Sequence, residues 1–170
     1  MIGADTDALV AELAQVLVRR GWRMATAESC TGGLIAAACT RRSGSSDWFD
    51  RGFVTYSNAA KTEMLGVPAE VIQAHGAVSE PVVLAMARGA RERAGVDVAV
   101  SVSGIAGPTG GSAEKPVGTV WLAWSGPWGE HAQRHRFSGD RDAVRSAALC
   151  CALQGLVDRA GRDATDGGAR

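Results

Sequence analysis

The run VDVAVSV at residues 96–102 constrains the fold more than any other stretch of the chain. Only Asp97 and Ser101 interrupt its apolar residues, and a near-continuous apolar run of strand length marks a strand buried on both faces. Such a strand needs a covering layer on each side. The run therefore predicts the central strand of a three-layer α/β/α sandwich.

The rest of the chain supplies the layers. Leu9, Val10, Leu13, Val16 and Leu17 recur at helical spacing after Asp5 or Thr6, and Gly21 ends that helix. A strand at 22–27 and a helix reaching Thr40 follow, then a short strand at 53–56 and a helix capped by Asn58. Pro68 opens a short helix, and Ser79 caps a longer one that ends at Ala94. A hairpin at 117–124 and 130–137 makes the otherwise mostly parallel sheet of about five strands a mixed one. A last helix, capped by Ser138 or Asp140, runs to Asp158. This gives one domain over residues 1–158, with the small, polar residues 159–170 expected as a disordered tail.

A chain of 170 residues with 46% hydrophobic residues can bury a sizeable core. Its 18 basic and 18 acidic residues balance, so no global field recruits nucleic acid or membrane. No signal peptide and no membrane-length apolar run is apparent, which suggests a cytoplasmic protein. Cys30, Cys39, Cys150 and Cys151 include no CxxC pair, so neither a disulfide framework nor a zinc site is expected. His131 and His135 share one face of a strand but stand too far apart for a metal pair, and no metal or cofactor is expected.

Three stretches carry chemistry. GSSDWFDRGFVTYSNAAK at 44–61 gathers Ser45, Ser46, Tyr56 and Lys61: a hydroxyl to attack, an amine to take its proton and a phenol to relay it. The same residues also fit a turn, a half-buried strand position and a solvated helix face. ESCTGG at 28–33 leads a strand into a helix, and Ser29, Thr31, Gly32 and Gly33 could bind a phosphate there or simply cap and pack the helix. Cys30 in that turn reads either as a reactive thiol or as a small buried side chain. The glycine-rich loop at 103–118 follows the central strand, where open α/β sheets place ligands. Lys115 in that loop is a ligand contact or a solvated charge. Arg141 and Arg145 lie one turn apart near the start of the last helix, within reach of a phosphate.

The motifs TAESCTGG at 26–33, GSSDWFDRGFVTYSNAAK at 44–61, GAVSE at 76–80, and SGIAGPTGG with EKPVGTV between 103 and 120 occur in this order. Together they resemble the C-terminal domain of the CinA (competence/damage-inducible) family, also known as nicotinamide-nucleotide amidohydrolases, over roughly residues 7–157. The family also has a longer form with a molybdopterin-binding-like N-terminal domain; this chain resembles the stand-alone form. The resemblance implies hydrolysis of the carboxamide of nicotinamide mononucleotide to nicotinate mononucleotide and ammonia, in pyridine nucleotide salvage, by a metal-independent serine mechanism. It assigns Ser46 as nucleophile with Tyr56 and Lys61, leaving the adjacent Ser45 as a rival. Ser29, Thr31, Gly32, Gly33 and Arg145 are then expected at the phosphate, and Gly104, Ala106, Gly107, Gly110 and Gly111 at the ribose and ring. A non-catalytic nucleotide-binding or competence-related module, or an amidase on another substrate, are the alternatives. A homo-oligomer, first of all a dimer, is expected.

Overall fold

The computed structural model describes residues 2–162. In chain order the elements are α1 (Ala4–Arg20), β1 (Met24–Glu28), α2 (Leu34–Thr40), a 3-10 turn (Ser45–Asp47), β2 (Phe49–Val54), α3 (Asn58–Leu65), α4 (Ala69–His75), α5 (Glu80–Ala94), β3 (Val98–Gly104), β4 (Thr119–Gly126), β5 (Gly129–Arg136) and α6 (Arg141–Gly161). The strands form one sheet in the order β2-β1-β3-β4-β5. β2, β1 and β3 are parallel, while β4 and β5 run antiparallel as the hairpin requires. The three-layer architecture and the central place of β3 are as the sequence predicts.

β3 divides its side chains between two cores. Val98, Val100 and Val102 enter the core shared with α1, α2 and α6, whereas Ala99 enters the core under α5. Ser101 also faces α5 and donates to the Val83 carbonyl at 2.6 Å. Ala27, Ser101 and Ala123 pair in register across three strands, so a row of small residues lets α5 lie close to the sheet. On the opposite layer Trp124 is fully buried, and its indole N–H donates to the Ala152 carbonyl of α6 at 3.0 Å. Any side chain at Gly155 would collide with that ring, so α6 needs a glycine there.

Several boundaries differ from expectation for physical reasons. β2 covers 49–54 rather than 53–56; its pairing with β1 shifts register between Met24 and Ala25, so Phe49 packs on one core and Phe53 on the other. The cap of α3 is Ser57, whose Oγ accepts the Ala60 N–H at 3.0 Å, and Asn58 is the first helical residue. Ser79 precedes α5, but its hydroxyl donates back to the Gly76 carbonyl at 2.7 Å instead of capping. α6 continues to Gly161 with Ala160 fully buried, so residues 159–161 belong to the domain and not to a tail. Arg20 of α1 holds that helix end by donating to the carbonyls of Ala160 and Arg162. The remainder of the expected tail, 163–170, lies outside the described residues.

Candidate active site

The parallel strands define two ends of the sheet, and the chemistry-bearing residues divide between them. At the carboxyl end, β1 runs into the turn at 29–33, β2 into 55–57, and β3 into the glycine-rich loop. Lys61 projects there from α3 with only 1% of its surface exposed. Its Nζ lies 3.0 Å from Ser29 Oγ and donates to the Thr55 carbonyl at 2.8 Å. Burial holds the Lys61 amine below its ordinary value of 10.5, with only the Cys30 thiol opposing through charge. A neutral amine that donates to Thr55 keeps a lone pair for the Ser29 hydroxyl. The two groups are within proton-transfer distance of each other.

Ser46 does not reach this pair. It lies in the 3-10 turn that precedes β2, at the amino end of the sheet, while Tyr56 and Lys61 follow β2. Six strand residues at about 3.3 Å each put it roughly 20 Å away. Trp48 explains the position of that turn: it is 1% exposed in the first core, and its carbonyl accepts the Met24 N–H at 2.8 Å. Ser45 shares the turn and is equally remote, so the expected Ser46–Tyr56–Lys61 grouping, and its rival with Ser45, do not form within the chain. Tyr56 borders the Ser29–Lys61 pair without bonding to it. Beyond β2 the backbone alternation turns Thr55 inward, fully buried, and leaves Tyr56 59% exposed. Its hydroxyl instead accepts from Arg141 Nη2 at 2.7 Å.

Arg141, expected only to lie within reach of a phosphate, belongs to the site. Its other terminal nitrogen donates to the Gly107 carbonyl at 2.8 Å, so one guanidinium ties the segment after β2, the glycine-rich loop and α6 together. Arg145, one turn on, donates to the Thr31 carbonyl at 3.1 Å and pairs loosely with Asp142 at 3.5 Å. Gly32 and Gly33 adopt the left-handed region at φ 58° and 97°, which the turn over Ser29 requires. A side chain at Gly32 would point into the space between Tyr56 and Arg145, 4.0 and 3.9 Å from their nearest atoms. Ser29, Gly32, Tyr56, Arg141 and Arg145 thus border one mouth.

The start of α2 is not a phosphate site. Glu28 is fully buried, and its carboxylate accepts the Ile35 and Ala36 N–H groups at 2.8 and 3.0 Å and the Thr31 hydroxyl at 2.8 Å. The protein's own anion takes the donors that a phosphate would use, and Thr31, itself fully buried, is spent on that anion. A glutamate ending a buried strand is the signal that could have disclosed this, because a buried carboxylate demands donors. Cys30 is a buried bystander: burial pushes its thiol up to about 11, against the opposing pull of Arg145 and Arg141.

The glycine-rich loop is shaped mainly by packing on itself. Side chains at Gly104, Gly107 and Gly111 would strike Val120 or Val117, and Ala106 is buried in the first core. Gly107 enters the site only through its carbonyl, and Gly110 is exposed on the loop. Lys115 donates to the His75 carbonyl at 2.8 Å and so fastens the loop to the end of α4. Among the described residues no three His, Cys, Asp or Glu side chains group as metal ligands. His131 is exposed, while His135 stacks on Phe137 at 5.3 Å and is partly buried.

A model of the CinA C-terminal domain matches residues 6–160, which include every element that builds this mouth. The chain belongs to the CinA C-terminal domain family. Within it, the chain is 56% identical to the nicotinamide-nucleotide amidohydrolase PncC of Escherichia coli (strain K12) over 157 residues, 92% of this chain and 95% of that one. The PncC of Enterobacter agglomerans is 59% identical over 147 residues, 86% of this chain and 90% of its own. Longer CinA proteins also match: the chain is 54% identical to a CinA-like protein of Syntrophobacter fumaroxidans but spans only 36% of its length. In three dimensions the competence/damage inducible protein of Agrobacterium tumefaciens superposes with a TM-score of 0.92 at 44% identity, covering 95% of this chain and 99% of that one. Among the described residues, no CinA-domain helix here is long and apolar enough to cross a membrane.

Proposed function

We propose that this chain hydrolyses the carboxamide of nicotinamide mononucleotide, with Ser29 as nucleophile and Lys61 as its base. The observation that carries the reading is the 3.0 Å contact between Ser29 Oγ and a buried, carboxylate-free Lys61 amine. The names of the PncC relatives supply the substrate class.

Neutral Lys61 takes the Ser29 proton as Oγ adds to the amide carbon. The ammonium then delivers that proton to the departing nitrogen, so ammonia leaves and an acyl ester remains on Ser29. Water adds to the ester with Lys61 again as base, the proton returns to Ser29 Oγ, and the acid product leaves as carboxylate, its remaining proton ending on the released ammonia. The positive pyridinium ring withdraws electrons from the carboxamide and favours attack. The exposed Tyr56 ring offers that cation a π face. Arg141 and Arg145 supply the positive rim for the phosphate in place of the α2 terminus. Exposed Val54 and Tyr56 beside this mouth support the expected homodimer as part of the proposal.

Ammonia release from nicotinamide mononucleotide by the purified protein, with a chelator present, tests the reading. Turnover that Ser29→Ala and Lys61→Ala each remove is the expected result. Binding of the nucleotide without turnover would instead favour a nucleotide-binding module, and turnover surviving Ser29→Ala would overturn the assignment of the nucleophile.

A further inference from the structure

We infer that Glu28 is a positioning residue for catalysis: its buried carboxylate fixes the turn that aims Ser29 at Lys61. This rests on the reading of Ser29 as nucleophile.

Glu28 is the last residue of β1 and immediately precedes Ser29. Its backbone carbonyl accepts the Thr55 N–H at 2.8 Å, which joins β1 to the segment whose Thr55 carbonyl holds Lys61 Nζ. Its carboxylate reaches forward across the turn. One oxygen accepts the Thr31 hydroxyl and the Ile35 N–H, both at 2.8 Å; the other accepts the Ala36 N–H at 3.0 Å and faces the Thr26 hydroxyl at 3.4 Å. One fully buried side chain therefore fastens the strand before Ser29 to the helix after it. α2 has only seven residues and no side-chain cap of its own, and both Gly32 and Gly33 in the turn are backbone-permissive. Without a clamp, a turn with two glycines and a short helix would hold Ser29 loosely. The Glu28 anion against the first N–H groups of α2 provides that clamp.

Every donor around the carboxylate points at an acceptor, which makes glutamine a discriminating replacement. Glu28→Gln keeps the size but turns an N–H₂ group toward donors, so at least one bond is lost and the turn shifts. A nucleophile displaced by about 1 Å from its base loses rate on the order of a hundredfold while binding is retained. Nothing in the mouth of the site takes up Glu28 itself, so KM is expected to stay within about twofold while kcat falls roughly 10- to 100-fold.

The experiment measures kcat, KM and thermal unfolding for Glu28→Gln and Thr31→Val beside Ser29→Ala, using nicotinamide mononucleotide. Thr31→Val removes one carboxylate partner and leaves both α2 N–H bonds, so a smaller loss of kcat, about threefold, is expected at unchanged KM. A Glu28→Gln protein that melts earlier yet keeps the wild-type kcat per folded molecule overturns the inference in favour of a purely structural clamp. Should Glu28→Gln not fold, Thr31→Val decides: wild-type kcat overturns the inference, and a lowered kcat at unchanged KM supports it. Activity in Ser29→Ala would sink the underlying nucleophile instead, a result distinct from all of these.

Discussion

The two ends of the sheet each present serines in a turn, and they differ in what lies underneath. At the carboxyl end Ser29 rests on a buried polar assembly of Glu28, Thr31 and Lys61, all at most 1% exposed. At the amino end Ser45 and Ser46 sit in a turn that ends at Trp48, whose ring is buried in the apolar core. A buried amine and a buried carboxylate are costly to keep without a chemical use, whereas a buried tryptophan stabilises by area alone. Under the proposed function, that difference in support, and not the motif around each serine, singles out Ser29.

The sharpest way to break this contrast is to delete the serines in turn. Ser29→Ala should lower kcat by about a thousandfold or more, with Lys61→Ala alike, while Ser46→Ala should leave kcat within about twofold in an ammonia-release assay. The reverse ranking would reverse the assignment of the two ends.

Trp48→Ala should affect stability and not chemistry. Truncating this fully buried ring should cost about 3–5 kcal/mol in denaturant unfolding, with kcat per folded molecule within about threefold. A selective loss of kcat would mean that the amino end communicates with the site.

At the rim, Arg141→Gln removes the bridge between Tyr56 and the Gly107 carbonyl. KM for the nucleotide should rise roughly tenfold, and less for the corresponding nucleoside lacking phosphate, in steady-state kinetics. Arg141→Lys should not restore it, because one ammonium cannot span both acceptors.

The smallest effect is on pH dependence. Burial lowers the Lys61 value from 10.5, so the unfolded chain binds more protons than the folded one between the lowered value and 10.5. Stability should rise with pH across that window and kcat/KM should rise as Lys61 deprotonates. Lys61→Met should lose the stability slope, measured by unfolding at stepped pH.

Periodicity and turn chemistry in the sequence carry the order of elements, the central strand, the hairpin and the helix ends at Gly21, Gly66 and Gly95, because these are set within a few residues of chain. Lys61 was legible as a candidate base, and the turn at 29–33 as a place of interest. The pairing of Ser29 with Lys61 was not. Ser46 and Lys61 are closer in sequence than Ser29 and Lys61, but β2 runs the length of the sheet between them. Nor could spacing show that Glu28 would occupy the α2 terminus, or that Arg141 would meet Tyr56 from 85 residues away. Local chemistry depends on neighbours along the chain; a parallel sheet places its functional neighbours at the ends of different strands, so only tertiary structure brings Ser29 and Lys61 to 3.0 Å.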